Sequence, residues 1–315
     1  MRWLATFAVV GCGGDDPEPA SAASDPDRPA LVCPGDAGCA DNAGPLSAGA
    51  AVRSIVPSCW ESWDDLDGNA TYDPVAETFH DCGCDRLCPG DPGYAAPDDG
   101  EGDGVFHAVW IAGFQSSRPV NGVRDASLGF RGEGDGLWAT AVVLDQGQTR
   151  IAIVALDAFG VMIDDTHAIR DAADAAGLGI DHLLVHSSHT HAAPDTLGIY
   201  GPSLAATGYD PAYAAEVRDE VVAALTDAVA ALEPVTVELG SVSADDYHPD
   251  GVGNLIVDTR DPAIVDPIVS TARFVGADST VATVVHFSNH PEETADVWAL
   301  LTANFVHTLR RTVED

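Results

Sequence analysis

Two short windows of this 315-residue chain concentrate imidazole. His182, His186, His189 and His191 fall in one, and His286 and His290 in the other; together they are six of the chain's 11 histidines. Neutral imidazole is the commonest side-chain ligand of zinc. A catalytic zinc uses about three protein ligands and keeps a position open for water or substrate. Such a metal polarises a carbonyl or acidifies a water molecule. The chemistry these residues suit is therefore metal-assisted hydrolysis. His189 and His191 are two residues apart, so an extended backbone would turn both rings to one side. His290 would approach from another strand. His186 and His286 are out of phase with a ligand role and read as buried donors or supports of the ligands. Glu292 and Glu293 are a candidate base or ligand, or the start of a solvated turn. A lone histidine after a strand is usually a hydrogen-bonded structural residue; the second histidine window is what strengthens the metal reading.

Strands must carry these windows. Apolar runs at residues 139–145 and 151–157 flank Gln146-Gly147-Gln148-Thr149, the pattern of a hairpin. A helix over residues 164–175 follows, stopped at Gly177. Residues 182–187 form the next strand and deliver the first histidine window. Asp210-Pro211 opens a helix to about residue 232, with Asp as the cap and Pro in the first turn. Its buried face is Val217, Val221, Val222, Leu225 and Val229. Strands at 235–239, 271–274 and 280–287 and a helix at 302–313 complete the series. Strands alternating with long helices predict an α/β fold, a mixed sheet layered with helices. Asp157 and both histidine windows end strands, where ligands collect in open α/β sheets. If those strands are neighbours running the same way, their ends form one rim.

The formal charge is −36, from 14 basic and 50 acidic residues, and no lysine occurs. Such a surface repels phosphate backbones and anionic membranes, which excludes nucleic acid as an expected partner. It suits a cation-rich exterior, or is simply a solvated surface. Trp3 to Val10 is too short an apolar run to span a bilayer. With Arg2 before it and Val9-Val10-Gly11-Cys12 at its end, residues 1–12 read as a bacterial lipoprotein signal, with Cys12 acylated as a membrane tether. The expected location is exported, at the cell envelope or secreted. Residues 13–50, rich in Ala, Gly, Pro, Asp and Ser, read as a flexible tether.

Residues 51–104 are a disulfide-rich acidic segment preceding the main domain at 105–315. Setting Cys12 aside leaves Cys33, Cys39, Cys59, Cys82, Cys84 and Cys88. An even set in an exported protein suggests three disulfides of unreadable connectivity; a zinc cluster around Cys82, Cys84 and Cys88 is the rival. Asp65, Asp67, Asn69 and Asp73 place oxygens at alternate positions, as a loop wrapping Ca²⁺ would. An ordinary surface loop of Asx turns is the alternative.

The segment Val185-His186-Ser187-Ser188-His189-Thr190-His191-Ala192-Ala193-Pro194 resembles the SxTHTHSGP signature of neutral, non-lysosomal ceramidases. Val285-His286-Phe287-Ser288-Asn289-His290-Pro291 is similar to that family's second zinc-histidine segment. Leu301 to Leu309 resembles the stretch that follows it. Gly122-Val123-Arg124-Asp125 and Val154-Ala155-Leu156-Asp157 fit its early strands in order. The resemblance spans residue 105 to the end. It implies that His189 and His290 bind zinc, and that His191 sits beside the metal and hydrogen-bonds substrate or intermediate. It also implies that Arg260 takes the place of a family arginine. The implied reaction is hydrolysis of the ceramide amide to sphingosine and fatty acid.

Ala192-Ala193 stands where the family has Ser-Gly, and Glu292-Glu293 where it has Thr-Ser. The family's serine, glutamate and tyrosine and its C-terminal β-sandwich have no counterpart before Asp315. The expectation is a fragment or a reduced relative. Three outcomes stay open: an exported zinc amidase, a non-catalytic lipid-tethered binding protein, and a zinc hydrolase of another acyl amide or ester.

Overall fold

The computed structural model describes residues 4–7, 44–124, 136–247, 249–254, 256–293 and 298–314. The expected mixed α/β architecture is present, with one difference that matters for the site: the strands form two sheets. In the first, β2 (Ser47–Ser54), β3 (Trp138–Gln146) and β4 (Thr149–Leu156) are antiparallel neighbours, and β5 (His182–Ser187) lies parallel to β4. The short β6 (Glu233–Pro234) closes the other edge. In the second, β7 (Thr236–Ser243), β8 (Ile268–Val275) and β9 (Thr280–His286) are antiparallel. Leu4–Phe7, β1, pairs parallel with β9 inside the stretch expected to be a leader. Cys12, Cys33 and Cys39 lie outside the described residues.

Two helices cover one face of the first sheet. In α2 (Pro211–Ala230), the Asp210 carboxylate accepts from the Ala212 and Tyr213 amides; such a cap is worth ~1 kcal/mol. The buried face of α2 is Tyr213, Val217, Val221, Ala224, Leu225 and Ala228. Val217, Val221 and Leu225 were expected there; Val229 packs against the same core while only partly buried, and Val222 lies beside the face. α1 (Ile163–Ala175) packs beside α2 and puts Asp164 and Asp165 in its first turn, where the helix dipole favours them. This face buries Val143, Val154, Leu156, Ile169 and Leu225 in the main core. The opposite face meets the second sheet through Ala48, Val142, Phe274, Val281 and Ala282. Strand β3 lies between the two cores, so residues 139–143 are all buried.

Strand β2 begins at Ser47, inside the stretch expected to be a tether to residue 50, and Ala48 is fully buried. Its Ser-Ala-Gly-Ala-Ala composition lacks the usual β-branched signal because both sides are crowded. A Cβ on Gly49 would stand 2.0 Å from the Ala228 carbonyl oxygen of α2.

The cysteine segment contains two disulfides, Cys59–Cys84 and Cys82–Cys88. Oxidation of all four sulfurs removes the rival zinc cluster and is consistent with an oxidising compartment. Among the described residues, no helix is long and apolar enough to cross a membrane.

α3 (Phe305–Glu314) anchors the end of β4 through Arg310, whose guanidinium lies 2.5 Å from the Asp157 carboxylate. Asp157 also accepts from the Trp138 amide and is almost fully buried. The strand-end carboxylate expected on the rim is therefore the anion of a buried ion pair.

Candidate metal centre

His189, His191 and His290 converge, each offering a ring nitrogen, and these nitrogens all lie within 4.8 Å of one another. The three come from two sheets. The first two follow β5, and the third follows β9. The expected rim of parallel neighbours is instead a seam between layers.

The histidine turn is not extended. His189 has a φ of 66°, a left-handed value uncommon for a residue with a side chain. Its amide donates to Ala158 O at 2.9 Å and its Nδ1 to Phe159 O at 2.6 Å. The second bond fixes the tautomer, because Nδ1 must carry the proton to donate to a carbonyl, and leaves Nε2 with its lone pair free. The His189 ring lies between Phe159 and His290, at centroid distances of 4.5 and 4.8 Å. His191 stands edge-on to both His189 and His290. The rings thus meet through a left-handed turn and not through strand alternation.

His191 Nε2 and His290 Nε2 are 2.7 Å apart. Two nitrogens on one tetrahedral zinc at about 2.0–2.1 Å would be about 3.3 Å apart. The cluster fits a metal if this pair opens by about 0.6 Å, which exchanges a shared proton for the ion. Burial lowers the His191 pKa to about 4, with His290, His189 and Arg118 adding to the effect. Burial also lowers that of His290, although Glu292 opposes it. Both rings are then neutral at pH 7, the state a metal requires. Glu292 lies on the Nδ1 side of both, 3.6 Å from His290 and 3.9 Å from His191. Those separations exceed a hydrogen bond but put the carboxylate where ligand histidines commonly find one.

Other residues hold the frame. Gly113, at a φ of 120°, lets the chain pass against His191; a Cβ there would lie 2.9 Å from His191 Cβ and 3.0 Å from its Nδ1. Arg118 is buried, donating through Nη1 to His191 O and through Nε and Nη2 to Trp298 O. Phe114 packs on His191, and Tyr200 meets Phe159 edge-on. The Asp195 carboxylate caps the amides of Leu197, Gly198 and Tyr200, fixing that loop. An aromatic wall of Phe114, Phe159 and Tyr200 thus surrounds the cluster, which opens to solvent at the exposed His290.

Arg260 stands on an exposed loop, where its guanidinium engages Asp258 and the Ile264 carbonyl. The arginine that reaches the histidine turn is Arg118. Its only sequence signal is an arginine in a chain with few bases. Phe159 and Asn304 carried no signal beyond their neighbourhood.

The acidic loop gathers Asp65, Asp67 and Glu77, not Asp73. Asp65 accepts from the amides of Gly68, Asn69 and Ala70, and Asp67 from Asn69. Glu77 accepts from the amides of Leu66 and Asp73, while Asp73 turns aside to the amide of Val75. These bonds shape the loop, and the Asp65, Asp67 and Glu77 carboxylates it gathers could hold a metal ion.

No family model and no curated protein matches this sequence. Among solved structures the chain is similar to a ceramidase complexed with C2, at a TM-score of 0.51 and 14% identity, over 82% of this chain and 33% of that one. It is also similar to neutral ceramidase from Pseudomonas aeruginosa, at a TM-score of 0.49 and 14% identity, over 82% of this chain and 34% of that one. The chain thus spans about a third of the length of the structures it matches. The fold is one this chain shares with a ceramidase, and the histidine cluster could hold a metal within it.

Proposed function

We propose that the chain is a zinc-dependent hydrolase of linear acyl amides, of neutral-ceramidase type, exported and tethered through an acylated Cys12. The observation that carries this reading is the convergence of three imidazoles from two sheets, in a fold shared with a ceramidase. His189 and His290 hold the metal, and the position of His191 against both supports a third ligand rather than a neighbour. Bound zinc supplies Lewis acidity toward the carbonyl oxygen of the substrate. Glu292, half exposed beside two of the rings, is the carboxylate placed to exchange protons with a water or a leaving amine. Phe114, exposed beside His191, and the partly exposed Tyr200 offer apolar surface to an acyl chain, the lipid portion of such a substrate. Ceramide is the substrate the resemblance points to.

The test is purified full chain, its zinc content measured, incubated with N-acylsphingosine and with a panel of other acyl amides and esters. Equimolar zinc and released fatty acid, both lost in His189→Ala, are expected. Turnover of only a different acyl amide or ester replaces the substrate. Zinc without any turnover leaves a binding protein. Absence of zinc after equilibration with the metal ends the proposal.

A further inference from the structure

We infer that Asn304 is the positioning residue that sets the spacing between the two histidine loops, an inference that rests on the metal-centre reading above. Asn304 directly precedes α3 and has a φ of 56°. Asn tolerates that left-handed conformation better than most residues. Its side chain is buried, with 2% of the residue's surface exposed.

One amide group there serves both loops. Asn304 Nδ2 donates to Thr190 Oγ1 at 2.8 Å and to Pro291 O at 2.9 Å. Thr190 is the residue between His189 and His191; Pro291 follows His290. The orientation of the amide is determined, because a proline carbonyl can only accept and so must face the nitrogen. The Thr190 hydroxyl donates in turn to Thr302 O at 2.8 Å, and the Asn304 backbone N–H donates to Thr302 Oγ1 at 2.9 Å. The three segments are therefore joined in a closed circuit of buried hydrogen bonds. Pro291 O also receives the His191 amide at 3.3 Å. No other described side chain donates to both loops through the residues next to the histidines. The loops belong to different sheets, so their separation is not fixed by any strand ladder. A buried amide whose donors are both used is costly to disturb, since each lost partner leaves a desolvated polar atom.

Asn304→Asp is the informative change. It keeps the volume and the tolerance for positive φ, removes both donors, and turns a carboxylate oxygen toward the Pro291 carbonyl. Thr190→Val removes the acceptor at nearly constant volume and attacks the same circuit from the other loop. Tyr213→Phe is the control: it deletes a buried hydroxyl bonded to Ile55 O at 2.8 Å, between α2 and the end of β2.

The experiment titrates the full chain with Co²⁺, following its visible absorption, and records the imidazole nitrogen–proton correlations of the metal-free protein. Asn304→Asp is expected to shift the His191 and His290 ring signals and to weaken Co²⁺ binding by about 10–100-fold. Thr190→Val should do both to a smaller extent, and serves if the first variant does not fold. Tyr213→Phe should lower the Tm and move neither readout. Rings and affinity unchanged in the folded Asn304 or Thr190 variant overturn the inference, as does a control that moves them equally. If the parent binds no Co²⁺ while the variants still displace the rings, Asn304 keeps its role and the metal-centre reading falls.

Discussion

Gly113→Ala should damage the histidine cluster from the backbone side. A φ of 120° is outside what an alanine adopts without strain, and holding a residue in such a region costs ~1–3 kcal/mol. The new methyl would also stand 2.9–3.1 Å from three atoms of His191. The ring cannot retreat freely, because Phe114 and Phe159 pack on it and Arg118 holds its carbonyl. Overpacking of that kind adds ~1–3 kcal/mol, for a total of about 2–6 kcal/mol. The Tm should fall by roughly 5–15 °C, and zinc affinity by roughly tenfold or more as one ring is pushed off its position. Gly177→Ala separates the two causes. Gly177 also has a positive φ, of 71°, but a Cβ there meets nothing within 4 Å. It should cost only the backbone term, about 1–2 kcal/mol, with zinc affinity intact. Calorimetric unfolding and competitive zinc titration of both variants give the answer. If Gly113→Ala binds zinc as tightly as Gly177→Ala does, the contact with His191 does not position that ring, and the reasoning fails.

Burial, with Arg310 and Arg311 nearby, lowers the pKa of His307 from its ordinary 6.5. The unfolded chain then binds more protons below pH 6.5, so this group's contribution to stability is complete above that value and is lost as the pH falls. His307→Gln should accordingly flatten the pH dependence of denaturant midpoints between pH 6.5 and 5; an unchanged slope refutes the assignment. Arg310→Met removes the guanidinium that pairs with the buried Asp157 carboxylate and should cost about 3–5 kcal/mol. Adding Asp157→Asn to Arg310→Met should recover part of that loss; strict additivity would show that the pair is not coupled. The Cys59–Cys84 bridge spans 25 residues and Cys82–Cys88 spans 6. Loop-closure entropy ranks them at about 3.5 and about 2.2 kcal/mol, so the paired serine replacement at 59 and 84 should lower the Tm further than that at 82 and 88. The reverse order would mean the short bridge carries more than chain entropy.

Much of the scaffold was legible because its signals are local. Asp210-Pro211 announced α2 through cap chemistry, and the apolar runs of β3, β4 and β5 announced themselves by length and composition. β2 was missed for a physical reason: squeezed between α2 and the second sheet, it needs small side chains, and small side chains read as linker. The histidines that converge were visible as two windows, but the way they converge was not. Pairing of β9 into a separate sheet, and the left-handed turn at His189, depend on contacts far apart in sequence. Arg260 and Arg118 show the same limit. Both are arginines in short polar surroundings, and only the fold decides that one faces Asp258 on an exposed loop while the other is buried under His191. The acidic loop likewise drew in Glu77, a residue outside the alternating pattern.

The seam position of the cluster has a thermodynamic consequence. His191 and His290 are 99 positions apart, so an ion gripping both would act as a reversible staple across a ring of that length. By the chain-entropy rule used for covalent bridges, closing so large a ring is worth about 4.7 kcal/mol at most. Chelator should then loosen the docking of one layer upon the other, beyond merely emptying the histidine cluster. Melting followed with and without zinc would register the architecture itself.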